Sequence, residues 1–274
     1  MKKQRITNSK CGLTGTGLIL LISVVSIFLA STVSMDLPPG TQAPATLSGH
    51  LPGLPCRPCE VFHELNTQIR NGHIDKNEAE VRFKTVMGDL KIFTEKTDPL
   101  RVAPGRCVFP LKGSVPASIG GKNGSGYLAL GYDYFDGNNH RGHPAHDLFI
   151  RDSNQNSRDD VTGEPVSVLA MEYGLVVSVE NTWEKNSLLR GGRYLWIYNP
   201  RDDRLTYYAH NDAILVRIGD WVKPGQPVAT VGRTGYNASR KRSPTHLHLM
   251  HLKIGNGLPR PENRFSELFT CVRN

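Results

Sequence analysis

Pro244-Thr245-His246-Leu247-His248-Leu249 decides how the second half of this chain is read. Polar and apolar residues alternate through it, which is the pattern of a strand. On a strand the side chains at i and i+2 leave the same face, so His246 and His248 project side by side, roughly 7 Å apart. That spacing lets one imidazole hold a metal while the other reaches a water beside it. A lone His-x-His is equally the wet face of an ordinary strand, so its meaning depends on what else the chain supplies.

Outward from this stretch, residues 105–274 read as short strands separated by Gly, Pro, Asn and Asp. Candidates are 127–130, 147–150, 166–169, 175–180, 194–198, 205–209, 214–218, 228–231 and 246–253, with Gly219-Asp220 and Lys223-Pro224-Gly225-Gln226 as turns. Many short strands and no long helix in this part predict a mainly β fold, an antiparallel sandwich or barrel-like domain with its core at 125–255. Residues 56–98 differ. Phe62, Leu65 and Ile69 recur at helical spacing, Asn71-Gly72 interrupts, and Phe83, Val86, Met87, Leu90 and Phe93 form a second stripe after a capping pair Asn77/Glu80. This predicts a small α-helical hairpin in front of the β domain, read as a packing element or spacer. Residues 35–55, rich in Pro, Gly, Thr and Ser, read as a linker.

The first 34 residues carry Lys2, Lys3, Arg5 and Lys10 and no acid, followed by an apolar run from Leu18 to Ala30 and then small residues. This is the layout of a signal peptide, or of a membrane anchor if the apolar run is counted back to Gly12. Cys11 precedes the apolar core and so does not sit where a lipid-modified cysteine would. Without those four basic residues the 33 lysines and arginines fall to 29, against 25 acids. So mild a surplus does not point to nucleic acid. An exported chain meets an oxidising compartment, and Cys56, Cys59, Cys107 and Cys271 remain as an even set. A bond between Cys107 and Cys271 would tie the two ends of the β domain. Cys56-Arg57-Pro58-Cys59 reads as structural, since no βαβ pattern surrounds it to suggest a redox pair.

A second cluster lies upstream, in Gly142-His143-Pro144-Ala145-His146-Asp147-Leu148-Phe149-Ile150. Here a turn-prone segment enters a strand, and an imidazole and a carboxylate four residues apart can converge on one cation. With one of His246 or His248 they make three N/O ligands, the number in catalytic zinc sites that keep a fourth position open. Spacing leaves open which of the two histidines is the ligand. Tyr207-Tyr208-Ala209-His210 ends another strand. Hydrolysis at a metal needs a proton acceptor and a donor for the developing charge. No Glu accompanies the histidine pair, so histidine is the candidate for both tasks.

These residues resemble a known family. His143-x-x-x-Asp147, Tyr208-Ala209-His210, the Gly219-Asp220-Trp221-Val222-Lys223-Pro224-Gly225-Gln226 turn and His246-Leu247-His248, in that order, resemble the lysostaphin-type zinc endopeptidases, which cleave peptide bonds of peptidoglycan. The resemblance covers roughly residues 125–255. It implies one zinc ion held by His143, Asp147 and His248, with His210 and His246 as the catalytic histidines. Ala145 replaces the family's glycine between the first two ligands.

Other features have plainer readings. His146 and His251 fall on the opposite strand face from the ligands, and His140 carries no assigned chemistry. Residues 151–164 begin like a calcium loop at Asp152, Asn154 and Asn156, but Ser157 stands where the turn glycine belongs and no Glu closes the loop. A solvated loop is expected. The segment from Arg233 to Thr245, with Tyr236, Arg240, Lys241 and Arg242, leads into the histidine pair and is expected to wall the cleft and hold substrate carboxylates. The expectation is thus an exported zinc metalloendopeptidase, in the periplasm or cell envelope, whose partners are peptidoglycan peptides. Two alternatives remain: a non-catalytic relative that regulates another cell-wall hydrolase, and an envelope module that only binds zinc.

Overall fold

The computed structural model describes residues 55–99 and 106–273. The expected signal or anchor at 1–34 and all but the last residue of the expected linker lie outside the described residues. No described helix is long and apolar enough to cross a membrane.

The helical hairpin forms. Helix α1 (Arg57–Asn71) starts at Cys56, whose Sγ accepts from the Cys59 amide, with Pro58 in the first turn, and Gly72 ends it in the left-handed region at φ +67°. Helix α2 (Lys76–Thr97) is capped by Asp75, whose carboxylate accepts from the amides of Asn77 and Glu78. The capping residue therefore lies two positions before the expected Asn77. Phe62, Leu65, Ile69, Phe83, Val86, Met87 and Leu90 are buried, as their spacing requires. They form one hydrophobic cluster with Tyr194, Trp196, Leu205 and Met250 of the β domain. The hairpin is thus cemented to the sheet by shared apolar burial.

The β domain is built on β1 (Ala145–Phe149), β2 (Ser167–Leu169), β3 (Gly174–Glu180), β4 (Arg193–Asn199), β5 (Arg204–Ile214), β6 (Trp221–Val222), β7 (Pro227–Val231), β8 (His246–Gly255) and β9 (Leu258–Pro261), followed by the short helix α3 (Phe265–Leu268). All named pairings are antiparallel, and the main path runs β1-β8-β5-β4-β3-β6, with β9 beside β8 and β2 beside β7. Alternation sorts the side chains. Met250, Leu252 and Ile254 of β8 face the hairpin. Leu247 and Leu249 face the other way, into a second cluster with Val168, Val228 and Val231. Two apolar layers sandwich the central sheet, and the expected mainly β, antiparallel architecture is what forms.

One strand turns the corner. β5 pairs with β8 up to Ala209 and with β7 from Asn211 onward. At the change of partner stands His210, with φ +66°. A strand that bends between two layers at such a point closes the barrel-like corner.

Three details depart from the strand pattern. Residues 127–130 contribute only an isolated bridge, Leu128 to His143. Residues 214–218 are not a separate strand, because β5 runs on to Ile214. The two-residue β6 and the proline-bearing β9 were too short or too irregular to announce themselves. Cys107 is bonded to Cys271 and Cys56 to Cys59. The first bond lies beside the pairing of Phe109 and Val272 and ties the ends of the domain, as expected.

Candidate metal centre and cleft

His246 and His248 open β8 on the face that carries the hairpin, and the register sets Asp147 of β1 directly across from His248. His143 lies two residues before β1. One ligand atom from each of His143, Asp147 and His248 lies within 4.8 Å of the other two, the only such cluster among the described residues. Of the expected residues, these three are the ones brought together as a chelating set.

Hydrogen bonds decide which nitrogen each ring offers. Nδ1 of His143 donates to the Gly126 carbonyl at 2.9 Å, which leaves Nε2, 3.3 Å from Asp147 Oδ1. Nδ1 of His248 lies 3.1 Å from the same oxygen. Two ring nitrogens and a carboxylate oxygen tolerate that closeness only with a cation or proton between them. The electrostatics agree. The hydrogen bond to Asp147 raises the His143 pKa against the opposing effect of burial. Burial works to raise Asp147, but His143 and His248 outweigh it and hold the carboxyl far below its ordinary range. His248 is lowered, with burial the largest cause and Asp147 opposing. A set of two imidazoles and one carboxylate with an open side suits a divalent ion of the zinc type.

His246 and His210 stand beside this set. Nδ1 of His246 donates to the Pro244 carbonyl at 2.8 Å, and Nε2 lies 3.7 Å from Asp147 Oδ1. Nδ1 of His210 donates to the Thr234 carbonyl at 2.8 Å. The His210 ring centroid is 4.9 Å from that of His246 and 5.5 Å from that of His248. Both rings are therefore anchored through Nδ1 and turn Nε2 to the cleft. Burial first, then the neighbouring imidazoles, push the His210 pKa well below its usual value, so this ring is neutral at pH 7.

The corner that aims His210 is braced on several sides. Its amide donates to the Gly191 carbonyl, and Asn211 donates from its side chain to the carbonyls of Tyr208 and Arg193. Thr234 Oγ1 donates to the Asn211 carbonyl at 2.8 Å. A Cβ at Gly235, where φ is +112°, would come within 2.4 Å of the Arg190 carbonyl and 2.9 Å of His210 Nδ1, so glycine is required there. His246 has its own brace. Thr245, fully buried, donates to Asp152 Oδ2 at 2.6 Å and accepts from Arg233 at 3.1 Å. Asp152 also accepts from the amides of Asn156 and Ser157, so this carboxylate closes its loop and props β8.

The cleft around these side chains has a volume of about 260 Å³. Sequence reasoning misjudged parts of its lining. The 233–245 segment does reach the cleft, but through Asn237, Ala238 and Ser243. Its arginines are engaged elsewhere: Arg233 holds the carbonyls of Ser243 and Arg240, Arg240 lies over the Tyr236 ring, and Arg242 reaches the Asn237 side chain. Arg190, Tyr207 and His140 line the cleft and were assigned no chemistry from sequence. For Tyr207 a signal existed, since its parity with Ala209 sets it on the site's face of β5. His146 and His251 do face away from the site. They are buried, His146 against Asn263 and Tyr127 and His251 against Thr206.

The profile of peptidase family M23 matches residues 159–258, which takes in His210, His246 and His248 and leaves out His143 and Asp147. The murein hydrolase activator NlpD of Escherichia coli K12 is 42% identical over 74 residues, 27% of this chain and 18% of that protein. The match therefore spans about a fifth of the length of that relative. Lipoprotein NlpD of Yersinia enterocolitica is 40% identical over 78 residues, 28% of this chain and 72% of that protein. Among solved structures, the catalytic domain of lysostaphin from Staphylococcus simulans aligns with a TM-score of 0.34 and 21% identity, over 61% of this chain and 91% of that one.

Proposed function

Because the chain belongs to peptidase family M23, we propose that it is an exported zinc metalloendopeptidase that hydrolyses peptide bonds of peptidoglycan. The observation that carries this reading is the meeting of His143, Asp147 and His248 with two further imidazoles on one side of them. His143 through Nε2, Asp147 through a carboxylate oxygen and His248 through Nδ1 would hold the ion. Zinc bound there supplies a Lewis acid for the scissile carbonyl and lowers the pKa of a water.

The chain's own residues do the rest. His246, anchored through Nδ1, accepts the proton of the attacking water at Nε2. His210 reaches the reaction as a neutral base, so it becomes a donor only after a proton enters the site. It then gives that proton to the leaving amine or shares it with the oxyanion. The apolar Tyr207 ring, whose centroid lies 6.1 Å from that of His248, limits water around the pair.

A second reading has its own observation: the curated relatives are named as a hydrolase activator and a lipoprotein. On it, this chain would bind and switch on a separate wall hydrolase in the envelope, with the N-terminal segment as signal or anchor. An envelope module that only binds zinc is the third. Dye-labelled peptidoglycan separates them. The full chain loaded with zinc should release dye alone if it is the peptidase, only alongside an added wall amidase if it is the activator, and in neither case if it merely stores metal.

A further inference from the structure

Next to the metal cleft lies a second cavity of about 80 Å³, one wall of which is the helical hairpin. Helix α1 contributes Asn66, Ile69 and Arg70, and the sheet contributes Tyr194, Trp196 and Tyr207. The two cavities meet at His140, Arg190, Gly191 and Tyr207, which line both. A space of this size takes several water molecules, or a short aliphatic stem in their place.

Its walls are firmly held. Asn66 donates to the Tyr194 hydroxyl at 3.0 Å and accepts from the Tyr134 hydroxyl at 2.9 Å. These bonds join helix α1, the turn at 134–139 and β4, so the cavity is set by the docking of the hairpin onto the sheet.

The charges in the lining are unequal. Arg70 is paired with Glu180 and donates to the Tyr194 hydroxyl. Arg190 has no carboxylate within ion-pair distance among the described residues. Its Nη1 donates to the His140 carbonyl at 2.7 Å and to that of Asn138 at 3.4 Å. Nε and Nη2 have no acceptor among the described residues. A guanidinium pinned at one nitrogen presents the remaining donors as a rigid fork, the geometry that suits a carboxylate. No acid among the described residues lines the second cavity, and Asp147 is the acid lining the cleft.

We propose that the second cavity is a substrate subsite for a peptide residue with a short aliphatic stem ending in a carboxylate, and that Arg190 binds that carboxylate. The proposal rests on the peptidase reading, since the ligand is part of the same peptide. It gives the hairpin a role beyond spacing, because Ile69 and Asn66 shape the room for the stem. It also moves to Arg190 the carboxylate-binding task expected of the basic loop at 233–245.

The test is calorimetric binding of a stem peptide from amidase-digested peptidoglycan to the zinc-loaded full-length His246→Ala chain. The same peptide with its carboxylates converted to carboxamides is the control. A charge-assisted bond of this kind predicts that the carboxylate form binds on the order of ten- to a hundredfold tighter. Arg190→Gln, added to that chain, should abolish the preference, and Arg190→Lys should restore part of it. Ile69→Trp, which fills the cavity away from Arg190, should weaken the same peptide while zinc content stays at wild type. In a chain that hydrolyses, Arg190→Gln should raise KM with kcat nearly kept. Equal binding of the two peptides, or a preference that survives Arg190→Gln, overturns the proposal. The binding readout needs no hydrolysis, so a chain that shows the preference and cuts nothing would sink the peptidase reading alone.

Discussion

At His210 the structure predicts an inverted order of stability between two small substitutions. The residue sits at φ +66°, where a Cβ is penalised, yet the corner of β5 holds it there. A side chain in that conformation costs about 1–2 kcal/mol. In ordinary strand interiors Gly is less stable than Ala by roughly 0.5–1 kcal/mol, through unfolded-state entropy. His210→Ala keeps the strain and loses the imidazole; His210→Gly loses both. The difference therefore changes sign, and the glycine variant should be the more stable by about 0.5–1 kcal/mol. Urea unfolding of the metal-free full chains reads this as a higher midpoint for Gly at an unchanged slope, by a few tenths of a molar for slopes of about 1–3 kcal/mol/M. Both variants should be inactive. If the alanine variant is the more stable by the usual margin, the corner is not strained, and the aiming of His210 by a forced backbone is wrong.

Three other expectations concern other residues. Asp147→Asn should lose bound zinc by elemental analysis, whereas His246→Ala should keep it and lose about 10²–10⁴ of turnover; zinc retained in the first or lost in the second contradicts the assigned roles. His251 is buried, with its pKa driven well below the ordinary 6.5 by burial. The unfolded chain takes up a proton there as pH falls past 6.5 and the folded chain does not, so stability is full above that value and declines below it. The slope owed to this one group approaches about 1.4 kcal/mol per pH unit well below 6.5, and metal-free His251→Gln should lose about 1.3 kcal/mol less than the parent chain on going from pH 7 to 5.5. Cys271→Ser opens a loop of sequence separation 164 and should cost the full chain roughly 4–5 kcal/mol in chemical unfolding; a loss under 1 kcal/mol would mean the strand pairing at Val272 already holds the ends.

Much of the architecture was legible because period alone separates a helical stripe from alternating strands. Phe62, Leu65 and Ile69 on one side of Gly72 and Leu247, Leu249 and His248 on β8 sort themselves by spacing. Residues 127–130 misled because Tyr127, Leu128, Ala129 and Leu130 form a short apolar run bounded by glycines, while Gly131 at φ +79° and the turn that follows prevent pairing beyond one bridge. The cap of α2 was misplaced because Asp75 and Asn77 both suit a helix start, and only the amide geometry chooses between them. At the site, the convergence of His143 and Asp147 with β8 was foreseeable from motif order. The corner at His210 was not, since a left-handed histidine inside a strand has no composition signature. Arg190 was missed for a similar reason. Its place beside the candidate metal site depends on the carbonyls of Asn138 and His140, fifty-two and fifty residues upstream, which the fold and not a sequence pattern brings near.

The most direct measurement is mass spectrometry of peptidoglycan fragments released in ¹⁸O-labelled water by the zinc-loaded full chain. The account predicts new amino termini paired with new carboxyl groups that carry the heavy oxygen, absent with His246→Ala and with a chelator. Zinc bound firmly in a chain that opens no peptide bond would contradict it.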